Sequence, residues 1–167
     1  MAKRKPKQVL YRRKQEQKTN YKKRLHLLLS QKQRVVVRFT NKKIIAQIVT
    51  FNTGGDRVTV GLDSSALKKL GWPYSGKNLP AAYLTGLLLG RRAQEKGCKE
   101  VILDTGWRAP LKKGKIFAFV KGVVDTGVKM PHGDKVIFPE ESRIKGEHLK
   151  EGQAQTFEMV KKKIMEK

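Results

Sequence analysis

Between Tyr11 and Leu29 seven cations, Arg12, Arg13, Lys14, Lys18, Lys22, Lys23 and Arg24, meet one acid, Glu16. A solvated helix ordinarily mixes the two signs, so a run this one-sided points to an external polyanion, with guanidinium and ammonium donors on phosphate oxygens. Arg4, Lys5 and Lys7, in a stretch containing Pro6 and little to bury, extend the run and are expected to lack order until a partner neutralises them. A second basic cluster, Trp107, Arg108, Lys112 and Lys113, lies in the loop from Asp104 to Gly114. Tyr11, Tyr21 and Trp107 add rings on which an unpaired base can stack. These sixteen residues are the candidate nucleic-acid contacts.

The charge balance supports that chemistry. The chain carries 38 Lys and Arg against 14 Asp and Glu, and residues 1–43 hold 16 of the bases and one of the acids. The arm is where the excess is concentrated. Nucleic acid is the first polyanion to consider and an anionic membrane the second. Membrane-surface binding needs an apolar stripe opposite the cations, and Tyr11 to Arg24 offers only two tyrosines, so no membrane partner is expected. No apolar run approaches the roughly 20 residues that span a bilayer.

Catalysis is the rival class. Asp63, Asp104 and Asp125 are the acids best placed to hold metal ions as a nuclease would. Each has a simpler reading, as a helix cap, a strand end and a helix end. One cysteine, Cys98, and three histidines give no zinc spacing and no nucleophile with a placed base, so neither metal nor cofactor is expected. The lone thiol fits an intracellular chain.

The elements that must position these residues follow from periodicity. Val9 to about Leu29, free of Gly and Pro, reads as one helix whose Leu25, Leu28 and Leu29 dock on a core. Arg34–Thr40, Ile44–Asn52 and Arg57–Leu62 are β-rich and separated by turn residues, an antiparallel meander. Asp63 or Ser64 can cap a short helix through Leu70. In the loop that follows, Trp72 and Tyr74 read more readily as core edge than as stacking platforms.

Asn78 caps a helix with Pro80 in its first turn, and Gly97 stops it. Gly86 and Gly90 inside that helix each cost about 1 kcal/mol relative to alanine, which implies a close approach by a neighbour. Val101 to Asp104 reads as a strand covered on both faces, Ile116 to Val124 as a second core helix, and Lys135 to Phe138 as a last strand. Phe157, Val160 and Ile164 lie on one side of a helix in the C-terminal tail. The organisation is a basic arm and helix over residues 1–30, an α/β core over 31–139 and a charged tail over 140–167. A helix feeding a doubly buried strand makes the fold class α/β, with three layers.

The basic arm, Gly71-Trp72-Pro73-Tyr74, Leu79-Pro80-Ala81-Ala82-Tyr83-Leu84-Thr85-Gly86, Pro131-His132-Gly133-Asp134 and Arg143-Ile144-Lys145-Gly146-Glu147-His148 occur in one order along nearly the whole chain. In this the chain resembles the archaeal form of the 5S rRNA-binding family of large-subunit ribosomal proteins numbered eighteen. Gly114-Lys115-Ile116-Phe117 stands where the bacterial branch has Phe-Asp-Arg-Gly-Gly. The resemblance implies an α/β/α fold with a mixed sheet of ribonuclease-H-like topology. It implies a structural role in the large subunit, attaching 5S rRNA to the large rRNA in the central protuberance, beside neighbouring ribosomal proteins. The location it implies is the ribosome of the cytoplasm.

Overall fold

A computed structural model describes residues 9–149 and 152–166. A mixed four-stranded sheet forms its centre, flanked by helices. Strands β1 (Gln33–Phe39), β2 (Ile44–Thr50) and β3 (Arg57–Asp63) form the meander, and β4 (Val101–Asp104) runs parallel to β1, giving the order β3-β2-β1-β4. Val35 pairs with Ile48 on one side and Leu103 on the other, and Ile48 pairs with Val60. Residues two apart share a face, so Val35, Val37, Ile44, Ala46, Ile48, Val60 and Leu62 form one apolar layer.

Helix α4 (Leu79–Glu95) lies against that layer through β2 and β3. The Asn78 side chain accepts from the Ala81 N–H at 2.9 Å, Pro80 occupies the first turn, and Gly97, at φ +72°, takes the left-handed conformation that ends the helix. Helix α5 (Lys115–Val124) packs on α4 at backbone distance. A Cβ at Gly86 would overlap the Phe119 carbonyl oxygen, one at Gly122 the Tyr83 carbonyl oxygen, and one at Gly90 the Thr126 side chain. Close approach was the compensation the two α4 glycines required, and Gly122 supplies its counterpart on α5.

The short α3 (Ala66–Lys69) follows β3, and the C-terminal α6 (Glu141–Lys145) and α7 (Gln153–Met165) pack on α4. Phe157, Val160 and Ile164 are buried there. Trp72 is 1% exposed and its ring meets Tyr74 edge-on, so the loop aromatics belong to the core edge.

Four expectations change. The N-terminal helix is two pieces, α1 (Arg12–Gln15) and α2 (Tyr21–Leu29), because Gln17 turns to φ +52° and Asn20 recaps the chain by accepting from the Lys23 N–H. Of the three leucines expected to dock, Leu25 and Leu29 are exposed and Leu28 is half-buried, so α2 buries no residue fully and polar contacts do much of the holding. Lys135–Ile137 is a single 3-10 turn, stabilised by Ile137 N–H donating to Asp134. In β4, Val101 is fully buried but Ile102 and Leu103 are only half-covered: Ile102, paired with Arg34, lies on a second face that is not an apolar layer, and Leu103, paired with Val35, is at the open edge of the apolar one.

Candidate nucleic-acid interface

The second face of the sheet carries Arg34, Val36 and Arg38 from β1, Gln47 and Val49 from β2, Val58 from β3 and Asp104 from β4. With Arg13, Lys18, Thr19, Asn20, Lys23 and Arg24 of the N-terminal segment, and Asp56 and Gly106, they line a cavity of about 260 Å³. Alternation explains why β1, β2 and β4 can do this, since every second residue points away from α4 and several are polar, while the register shift at Ile48/Val49 turns Val58, paired with Val49, onto the same face.

The centre of this face is ionic. Arg34, 2% exposed, donates from Nη1 to Asp104 Oδ2 at 2.9 Å and from Nη2 to Asp56 Oδ2 at 2.7 Å. Arg24 of α2 donates to both oxygens of Asp56 at 2.8 and 2.9 Å. Asp104 Oδ1 accepts from the Gly106 N–H at 2.8 Å, and Arg38 Nη1 donates to the Asp104 carbonyl at 2.9 Å. A charge this deeply buried is tolerable only with such pairing. Lys23 completes the attachment of α2, its Nζ donating to Thr105 Oγ1 at 2.8 Å and to the Gly106 carbonyl at 3.3 Å.

The candidate contacts thus divide by position. Arg12, Arg13, Lys14, Lys18 and Lys22 are exposed, with Tyr11 and Tyr21 beside them, their rings tilted at 54° and 5.4 Å apart between centroids. Glu16 pairs with Lys18 at 2.7 Å and lies 3.7 Å from Arg12, leaving Arg13, Lys14 and Lys22 without an acid within 4 Å among the described residues. Lys23 and Arg24 are half-buried and hold α2 to the sheet. Trp107, Arg108, Lys112 and Lys113 are exposed in the loop after β4, Lys113 reaching Glu140 at 3.2 Å. Arg4, Lys5 and Lys7 lie outside the described residues.

The loop cluster and the N-terminal cluster are joined, because Lys23 bonds to Thr105 and Gly106 immediately before Trp107. Arg34 and Arg38 escaped the sequence reading. Their strand signal is legible, but whether a cation in a β-branched run faces the helices or the opposite side depends on register, and a shift of one residue exchanges the two cases.

The three acids weighed as metal ligands have separate partners. Asp63 pairs with Lys43 at 2.6 Å, Asp104 with Arg34, and Asp125 accepts from the Tyr83 hydroxyl at 2.7 Å. The Lys43 hydrogen bond holds the Asp63 carboxyl below the usual carboxylate range, against a smaller opposing push from burial. Burial, reinforced by Asp125, drives the Tyr83 hydroxyl the other way, above its usual range. Among the described residues no group of three or more His, Cys, Asp or Glu is placed to hold a metal ion, and no helix is long and apolar enough to cross a membrane.

The family described as ribosomal large subunit proteins 60S L5 and 50S L18 matches residues 5–100. A protein of Korarchaeum cryptofilum, named large ribosomal subunit protein uL18, is 52% identical over 142 residues, covering 84% of this chain and 72% of the relative. Proteins of the same name from Methanothermobacter thermautotrophicus and Sulfurisphaera tokodaii are 44% identical over 143 residues and 49% over 142. They cover 86% and 84% of this chain, and 74% and 71% of their own lengths.

Proposed function

Because the chain belongs to the L5 and L18 family of large-subunit ribosomal proteins, and is a structural protein of the ribosome rather than an enzyme, we propose that it binds 5S rRNA and helps attach it to the large rRNA in the central protuberance. Residues 1–30 act as a basic arm that anchors phosphates, and the core over residues 31–139 supplies shape. Neighbouring ribosomal proteins complete the assembly, in the ribosome of the cytoplasm.

The observation that carries the reading is the cationic surface of α1 and α2. Arg12, Arg13, Lys14 and Lys22 project into solvent, and the one acid of the segment is already paired with Lys18. Phosphate contacts position an RNA, whereas shape and unpaired bases give preference, and exposed Trp107 beside Arg108 suits the second task. A ribonuclease-H-like topology in three layers accords with the strand order β3-β2-β1-β4. The isolated parallel bridge from Glu100 to Lys129 lies beside β4, where a fifth strand of that topology would run.

The test is a titration over several salt concentrations against 5S rRNA and a structured RNA of similar length. A preference for 5S rRNA that survives rising salt is the expected outcome. Equal affinity for both, abolished together in salt, would leave only a general polyanion binder. Replacing Arg12, Arg13, Lys14 and Lys22 by alanine should reduce the salt slope by about one for each phosphate the variant no longer neutralises, with the fold intact. An unchanged slope would remove the arm from the interface.

A further inference from the structure

The cavity between the N-terminal helices and the second face of the sheet has a charge imbalance that its own residues do not resolve. Its two acids are already committed: Asp56 to Arg24 and Arg34, Asp104 to Arg34 and the Gly106 N–H. Three further cations on its wall are held mainly by neutral acceptors. Arg13 donates to Thr19 Oγ1, Lys23 to Thr105 Oγ1 and the Gly106 carbonyl, and Arg38 to the carbonyls of Val37 and Asp104, with Nη2 3.7 Å from Asp104 Oδ1. They come from α1, α2 and β1 respectively, so they converge only in the folded chain.

Like charges gathered in a recess partly closed to water repel, and an oxyanion relieves the repulsion while accepting the donors still free on each group. The volume of about 260 Å³ leaves room for one oxyanion with part of its hydration. The polar walls do not suit a base.

We propose that this cavity is a phosphate site, bounded by Arg13, Lys23 and Arg38, and that filling it clamps α2 onto the sheet. The phosphate is a backbone phosphodiester of bound RNA or a free oxyanion; only the first source rests on the proposed binding of 5S rRNA. The clamp follows from how little else holds α2. The helix has nine residues and buries none fully, Leu27 and Leu28 being half-covered, and its polar attachment to the core runs through Lys23 and Arg24. A helix so short is marginal in water without tertiary support. An anion shared by Arg13 on one side and Arg38 on the other adds a second tie between the N-terminal segment and β1.

Hydrogen exchange of the α2 amides in the full chain reads the clamp directly. Pyrophosphate is the free-oxyanion probe, with sodium chloride at matched ionic strength as control, and 5S rRNA is the phosphodiester probe. At ten times its dissociation constant, pyrophosphate should slow α2 exchange on the order of tenfold, whereas chloride should not. The Arg13→Gln, Arg38→Gln double variant should lose the response with α4 amides still protected; both side chains are exposed, so the fold survives. The Lys69→Gln, Arg92→Gln variant, which removes two exposed cations away from both basic clusters, should keep it.

A response to both probes assigns a site that any oxyanion fills. A response to RNA alone, absent in the double variant, assigns it to a phosphodiester. No response to either, or equal loss in both variants, overturns the site in favour of diffuse charge. Gel mobility measured in parallel keeps the clamp and RNA binding apart, since retained 5S rRNA affinity without an α2 response defeats the clamp and leaves RNA binding standing.

Discussion

The two faces of the sheet are built by opposite means. On one, α4 and α5 approach until Gly86 leaves room only for the Phe119 backbone and Gly122 only for that of Tyr83 and Leu87, and Val35, Ile48 and Val60 fill the layer beneath. On the other, α2 buries no residue fully and is held by Lys23 and Arg24 to a network centred on Arg34. The first face is decided by volume, and the close-packed interior punishes any added atom. The second is decided by charge, where removing one partner leaves the other stranded in a place it cannot be solvated. The apolar face therefore specifies the fold, and the ionic face ties that fold to the segment proposed to meet phosphate.

The sharpest way to break the comparison is Asp104→Ala. Arg34 would lose its Nη1 partner while still 2% exposed, and the Gly106 N–H would lose its acceptor. The expected loss is about 3–5 kcal/mol in a denaturant titration. Replacing the pair together, Arg34→Met with Asp104→Leu, should recover a large part of it, because an apolar pair carries no desolvation cost. If Asp104→Ala alone were nearly neutral, the second face would be solvated and the charge argument would fall. RNA affinity of the double replacement should still drop, since Asp56, which receives Arg24 of α2, would lose the Arg34 donor that fixes its carboxylate.

Gly86→Ala comes next and tests the other face. Alanine's helix propensity favours the change by about 1 kcal/mol, but the added methyl meets the Phe119 carbonyl oxygen. Overpacking of that kind costs typically 1–3 kcal/mol and more where the obstacle is backbone. A net loss of roughly 2 kcal/mol is expected, with 5S rRNA affinity of the folded protein unchanged. A gain in stability would mean the helices stand further apart than their glycines require.

These differences in cause also explain what could be read from the sequence. The Asn78 cap, the Gly97 stop and the glycines of α4 are local or nearly local signals, and each kept its meaning in the fold. The meander strands were legible for the same reason. The N-terminal segment was legible in charge but not in shape. Nothing local marks Gln17 as left-handed, and Leu25 and Leu29 look like a docking stripe until one sees that α2 is held from its polar side. Lys135–Ile137 has strand composition, but three residues without a neighbouring edge to pair with settle into a turn. Arg34 was missed because its role depends on Asp56 and Asp104, 22 and 70 residues away.

The smallest effect separates burial from charge as the cause. Asp63 at the end of β3 makes the same kind of pair as Arg34 with Asp104, but in the open: Lys43 Nζ lies 2.6 Å from Oδ2 with side chains 44% and 29% exposed, and Oδ1 accepts from the Ser65 N–H. The folded carboxyl therefore titrates below its unfolded value, chiefly through the Lys43 hydrogen bond. Its contribution is present above the ordinary aspartate titration near about pH 3.9 and is lost as pH falls through the lowered folded value. Asp63→Asn should thus cost under about 1 kcal/mol at neutral pH, the worth of an exposed pair, and the two proteins' denaturant midpoints should converge in acid. A loss as large as that of Asp104→Ala would show that ion pairs here stabilise by charge alone. The small expected value, set against the large one, isolates burial as what makes the second face of the sheet structural.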